Sequence, residues 1–118
     1  GIASRGLGDV YKRQSSFKAV NEVFSPDNDG FQDIAVFSYN ISEIGMVGNA
    51  TIFDSRGRLI KKVLSNELLQ KQGQFTWDGI NQYGQKASVG IYLVYFECFS
   101  TDGKILNFKA TTTLKTRF

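Results

Sequence analysis

The residues with the most chemical potential lie in one short stretch, Phe24-Ser25-Pro26-Asp27-Asn28-Asp29-Gly30-Phe31-Gln32-Asp33. Asp27, Asp29 and Asp33 place three carboxylates within seven residues. Such a group repels itself unless a cation or several backbone N–H groups lie among them. Hard cations take clustered oxygen ligands, so Asp27, Asp29 and Asp33 with backbone carbonyls are a candidate calcium site. Counted from Ser25 as position one, an EF-hand register puts Asp27 at three, Asp29 at five, Gly30 at six and Asp33 at nine. Position twelve is then Val36 where the bidentate glutamate belongs, so the stretch is not an EF-hand. The competing reading is that these short side chains cap the backbone of a tight turn, with Gly30 supplying positive φ and Pro26 ending the preceding strand.

Trp77 is the other candidate. A lone tryptophan on a small β domain either stacks on a sugar ring or fills the core, and its large apolar area favours the core. The sequence holds no histidine, which removes histidine-activated nucleophiles, histidine general bases and imidazole metal sites. Its one cysteine, Cys98, leaves no internal disulfide or cysteine-based zinc cluster and lies in a strongly apolar run, as an inert buried thiol would. With no convergent acid–base set, the expectation is a chain that is not an enzyme and has no cofactor other than the candidate calcium.

These residues need a scaffold, and the composition specifies its kind. Among 118 residues, 42% hydrophobic and 21% charged content is ordinary for one globular domain. No apolar run approaches the ~20 residues of a membrane helix, so membrane insertion is not expected. Residues 1–14, GIASRGLGDVYKRQ, have no sustained periodicity, and their second half reads as a translated sequencing adaptor. They are expected to be a non-native, disordered leader, and residues 15–118 the domain, the tail of something longer. The leader carries Arg5, Lys12 and Arg13 against Asp9, which leaves 11 basic and 10 acidic residues in the rest. The basic isoelectric point therefore belongs mostly to the leader, and a nucleic-acid partner is not expected.

Seven strand-like runs can be placed: Phe17 to Phe24, Asp33 to Ile41, Asn49 to Asp54, Arg58 to Leu64, Gln74 to Trp77, Gly90 to Ser100 and Ile105 to Leu114. Asp54-Ser55-Arg56-Gly57 and Thr101-Asp102-Gly103-Lys104 are hairpin turns. Asn66 to Gln70 is expected to hold one helical turn or an irregular bridge. Gly90 to Ser100 is apolar on both faces, as a central strand buried on both sides would be. The pattern predicts an all-β, immunoglobulin-like antiparallel sandwich of about seven strands, with a small barrel as the alternative.

Three motifs in order carry a family resemblance. Phe24-Ser25-Pro26-Asp27-Asn28-Asp29-Gly30 with Asp33 resembles an opening F-[ST]-P-N-x-D-G…D signature. Ile52-Phe53-Asp54-Ser55-Arg56-Gly57-Arg58-Leu59-Ile60 resembles a central hairpin, and Trp77-Asp78-Gly79 through Gly90-Ile91-Tyr92 a W-D-G…G-x-Y half. Together they resemble the gliding-motility-associated C-terminal domain, the type B sorting domain of type IX secretion cargo. The immunoglobulin-like domain of the flagellar hook-capping protein shares much of this pattern. The resemblance covers roughly Ala19 to the end and marks Pro26, Gly30, Gly57, Trp77, Asp78, Gly79, Gly90 and Tyr92 as fold-defining. It implies a non-catalytic sandwich at the C-terminus of a larger exported protein, secreted or held at the cell surface. Its partners would be the upstream domains of that protein and the outer-membrane secretion machinery. Two positions depart from the pattern: Asp27 replaces the usual Asn, and Asp54-Ser55-Arg56-Gly57 replaces N-R-W-G, which leans towards the hook-cap-like subgroup. A calcium-dependent ligand- or carbohydrate-binding module and a structural spacer are the other readings.

Overall fold

The computed structural model describes residues 15–26 and 33–115. It is a two-sheet β-sandwich of eight strands, with no helix among the described residues. These are β1 (Ser16–Ala19), β2 (Val23–Phe24), β3 (Ala35–Asn40), β4 (Val47–Asp54), β5 (Leu59–Leu68), β6 (Gln72–Trp77), β7 (Gly90–Phe99) and β8 (Ile105–Leu114). One sheet has the order β1-β3-β6 and the other β2-β8-β7-β4-β5. β3 lies beside β6 and β4 beside β7, the crossed connections of an immunoglobulin-like sandwich. The architecture is the expected one, with two separate sheets rather than a closed barrel and with one parallel pair, β2 on β8.

The extra strand arises because Phe17 to Phe24 is not continuous. β1 pairs with β3 in the smaller sheet, and the chain then crosses to join β8 in the larger one. Asn21 makes the crossing possible by imitating a strand partner. Its Oδ1 accepts from Val36 N–H at 2.8 Å, and its Nδ2 donates to the Ile34 carbonyl at 2.8 Å. The backbone groups of β3 that lose a strand neighbour are thus satisfied by a side chain. Beyond the crossing, Thr113 N–H donates to Glu22 O and Lys115 N–H to Phe24 O.

Of the two alternatives for Asn66 to Gln70, the irregular bridge is found and the helical turn is not: β5 runs to Leu68 and a short passage leads into β6. Asn66 adopts φ 53 there. Asn49 Oδ1 accepts its N–H at 2.9 Å, so the irregular backbone is held from the neighbouring strand. Leu69 is buried over Gly48, where an added Cβ would lie 2.7 Å from its Cδ1. Tertiary packing of Leu69 thus outweighs a locally helix-favouring run.

β7 is central in its sheet, as expected, yet only one of its faces enters the core. Tyr92, Val94, Phe96 and Cys98 are buried, whereas Leu93, Tyr95, Glu97 and Phe99 are half-buried on the outer face and Ile91 is exposed. Cross-strand neighbours give that outer face partial cover, with Leu93 opposite Phe53 and Phe99 opposite Val47. Inside, Phe17 lies against Phe37, Phe75 and Phe96 at centroid distances of 6.0, 5.7 and 4.9 Å. Each fully buried ring of this group stabilises the fold by roughly 2–3 kcal/mol through removal of apolar area from water.

Candidate functional site

One end of the sandwich gathers the described parts of all three sequence motifs, and two turns of one design build it. In the first, Gly57 N–H donates to Asp54 O at 3.0 Å and Asp54 N–H to Arg58 O at 3.0 Å. Asp54 Oδ1 accepts from the N–H groups of Arg56 and Arg58, each at 2.9 Å. The second turn repeats this with Asn81. Gly84 N–H donates to Asn81 O, Asn81 N–H to Gln85 O, and Asn81 Oδ1 accepts from Tyr83 and Gln85 N–H at 2.9 Å. Gly57 and Gly84 take φ of 83 and 79, the left-handed step that closes a type I turn with a bulge. At the opposite end Ser100 to Lys104 follows the same backbone plan, with the Ser100 hydroxyl accepting from Lys104 N–H at 3.1 Å.

Trp77 sits beneath these turns and is 1% exposed. Its Nε1–H donates to the Ile80 carbonyl at 2.9 Å. Phe24 lies 5.6 Å from it and Tyr92 5.0 Å in an edge-to-face contact. Asp78 Oδ1 accepts from Ile80 N–H at 3.0 Å, which fixes the turn at Gly79. Gly79 is buried, with φ 84. A Cβ there would lie 3.2 Å from Leu114 Cδ1 and 3.3 Å from Pro26 Cγ. Gly90 opens β7 opposite Leu114, and the Tyr92 hydroxyl donates to the Ser88 carbonyl four residues upstream. Immunoglobulin domains use a similar tyrosine corner. Pro26, Trp77, Asp78, Gly79 and Tyr92 therefore form one packed unit, and Gly57 stands on the adjoining turn. A ring so enclosed has no face for a sugar, so the stacking role considered for Trp77 is ruled out.

The calcium expectation rests on Asp27, Asp29 and Asp33. Asp27, Asp29 and Gly30 lie outside the described residues; Asp33 is described and half-buried just before β3. Among the described residues no three His, Cys, Asp or Glu side chains converge as a metal site would require. Cys98 is buried on β7 beside Glu97, and burial first, then the Glu97 charge, pushes its thiol up to about 11. Such a thiol is inert at neutral pH.

Between the two turns opens a cleft of about 610 Å³. Arg56, Arg58 and Lys86 line it, with Asp54, Tyr92 and the exposed side chains of Leu59, Val89 and Ile91. Asp54 accepts from Arg58 Nε at 2.8 Å. The backbone hydrogen bond from Arg58, and then the Arg58 side chain, hold the Asp54 carboxyl below its ordinary range. Burial, and then the charge of Asp54, raise the Tyr92 hydroxyl. Sequence reading finds the Asp54 turn but misses its Asn81 counterpart, although Asn81-Gln82-Tyr83-Gly84-Gln85 spells the same polar-x-x-Gly-x pattern.

Fold and site together define an immunoglobulin-like β-sandwich whose motif residues shape one end of the domain. No family model matches the chain, and no curated protein sequence matches it. Solved structures do match in fold. FlgD from Xanthomonas campestris, the subject of work on the hook capping essential for flagellar assembly, aligns over 86% of this chain and 69% of its own, with TM-score 0.58 and 19% identity. Dimeric latent PorU from Porphyromonas gingivalis aligns over 86% of this chain but 10% of its own, with TM-score 0.58 and 18% identity. CopC from Methylosinus trichosporium OB3b aligns over 85% of this chain and 94% of its own, with TM-score 0.51 and 19% identity. At such identities the likeness is one of fold.

Proposed function

We propose that this chain is a non-catalytic C-terminal sorting or anchoring domain of a larger exported protein, recognised as a folded surface by the type IX secretion machinery. The observation that carries the reading is the convergence of Pro26, Trp77, Gly79 and Tyr92 around one packed centre. Residues from two of the motifs behind the family resemblance thus make a single structural unit, with the Asp54 turn of the third beside it. The fold likeness to domains of PorU and FlgD accords with it. Its working place is the cell surface or the medium, and its partners are the upstream domains of its own protein and the outer-membrane machinery. A second reading, a structural spacer like the hook-cap immunoglobulin-like domain, is favoured by the Asp54-Ser55-Arg56-Gly57 turn and by the 69% of FlgD that aligns. Fusion of the domain to a periplasm-directed reporter in a type IX-competent bacterium separates the two. A sorting domain carries the reporter to the surface, and a spacer leaves it in the periplasm.

A further inference from the structure

The cleft between the Asp54 and Asn81 turns carries charge and apolar surface that the fold does not use. Arg58 is compensated by Asp54, whereas Arg56 and Lys86 make no ion pair among the described residues. Three cations against one carboxylate give the cleft a net charge of +2, although residues 15–118 as a whole hold 11 basic and 10 acidic groups. Positive charge is therefore concentrated here rather than spread. The lining is mainly polar, and a few exposed apolar side chains border it. Nine large apolar side chains are exposed among the described residues. Of these, Leu59 (46% exposed), Val89 (57%) and Ile91 (57%) line this cleft, and Tyr83 (77%) stands on the adjoining Asn81 turn.

Exposed apolar side chains rimmed by polar ones mark interaction surfaces, and arginine and tyrosine are enriched where binding energy concentrates. The guanidinium fork of Arg56 matches a carboxylate. Both walls are held by the Asx-capped turns, so little ordering cost falls on the protein when a ligand binds. A free phosphate would use the cations and leave Leu59, Val89 and Ile91 in water. An extended peptide with acidic and apolar side chains would use both.

We propose that this cleft docks an acidic segment of a partner protein, with carboxylates on Arg56 and Lys86 and apolar side chains on Leu59, Val89 and Ile91. The proposal concerns binding by the isolated chain and stands whether or not the chain directs export. Its test is a titration of the isotope-labelled full chain with a nine-residue peptide alternating Glu and Leu, followed by amide NMR shifts and by anisotropy of a fluorescein-labelled copy. Saturable shifts confined to residues 55–60 and 81–92 are expected. Arg56→Glu and Lys86→Glu should each weaken binding at least tenfold, and Arg56→Gln and Lys86→Gln at least threefold. Lys18→Glu, exposed on β1 of the other sheet, should leave the affinity unchanged. A Glu–Gly peptide of the same length should bind at least fivefold more weakly. The proposal is overturned by any of three results: shifts that are absent at millimolar peptide or scattered over both sheets, equal weakening by Lys18→Glu, or a Glu–Gly peptide that binds as tightly as the Glu–Leu one.

Discussion

Gly79→Ala tests the packing of the motif residues against one another. At φ 84 an alanine pays the left-handed backbone penalty, roughly 1–2 kcal/mol. Its Cβ would also press on Leu114 Cδ1 at 3.2 Å, Pro26 Cγ at 3.3 Å and Phe24 Cε2 at 3.5 Å. The proline ring is stiff and Leu114 is buried, so the neighbours have little room to give, and overpacking of this kind adds about 1–2 kcal/mol. The expected total is roughly 2–4 kcal/mol. Gly57→Ala and Gly84→Ala supply the comparison, because both glycines have similar φ and no heavy atom within 4 Å of the added Cβ. Each should lose only the backbone part, about 1–2 kcal/mol. Urea unfolding followed by the fluorescence of Trp77, the single tryptophan, reads all three. Gly79→Ala should unfold at a urea midpoint about 0.5–1 M below the other two, at similar denaturant slope. Equal losses, within about 0.5 kcal/mol, would refute the contact between Gly79, Pro26 and Leu114.

Three further outcomes follow from named contacts. Trp77→Phe removes the hydrogen bond to Ile80 O and part of the contact with Phe24 and Tyr92, so circular dichroism melts should show a loss of roughly 2–3 kcal/mol, and Trp77→Ala one of roughly 3–5 kcal/mol. A Cys98 thiol raised from 9.0 to about 11 has about a hundredfold less thiolate at neutral pH. Iodoacetamide labelling read by mass spectrometry should therefore be at least that much slower in the folded than in the urea-unfolded chain; native labelling within tenfold would contradict the burial. Because the Asp54 carboxyl is held below its ordinary value of 3.8 in the folded state, its charged form stabilises the fold above that value, and the contribution is lost as pH falls through the lower folded value. Asp54→Asn should accordingly melt below the parent at pH 7, with the gap closing below pH 3.8; a constant gap across the acid range would contradict the ion pair.

Turn grammar and the buried tryptophan are legible in the sequence because each is local. Asp54-Ser55-Arg56-Gly57 announces its own hydrogen bonds, and the area of Trp77 argues for burial wherever the fold places it. What escapes the sequence depends on partners far along the chain. Phe17 to Phe24 reads as one strand because nothing local shows that Asn21 bonds Ile34 and Val36 and so switches sheets. Asn66 to Gln70 leaves a helical turn and an irregular bridge both open, because its propensity favours the helix while the packing of Leu69 over Gly48 that decides for the bridge comes from another strand. The apolar run of β7 reads as buried on both faces, although its outer residues are half-covered only by neighbours such as Phe53. The cleft is hidden for the same reason. Arg56 and Lys86 lie on separate turns, and the sandwich topology brings them together.

The central claim is that the folded domain is an export signal. It is tested most directly by the surface exposure of a reporter fused to the chain, measured by external protease in a type IX-competent strain and in the same strain without the secretion machinery. The account predicts a protease-accessible reporter in the first and a protected, periplasmic one in the second, with less surface reporter in the competent strain for the destabilised Trp77→Ala fusion. A reporter protected in the competent strain, or exposed in both strains, would contradict it.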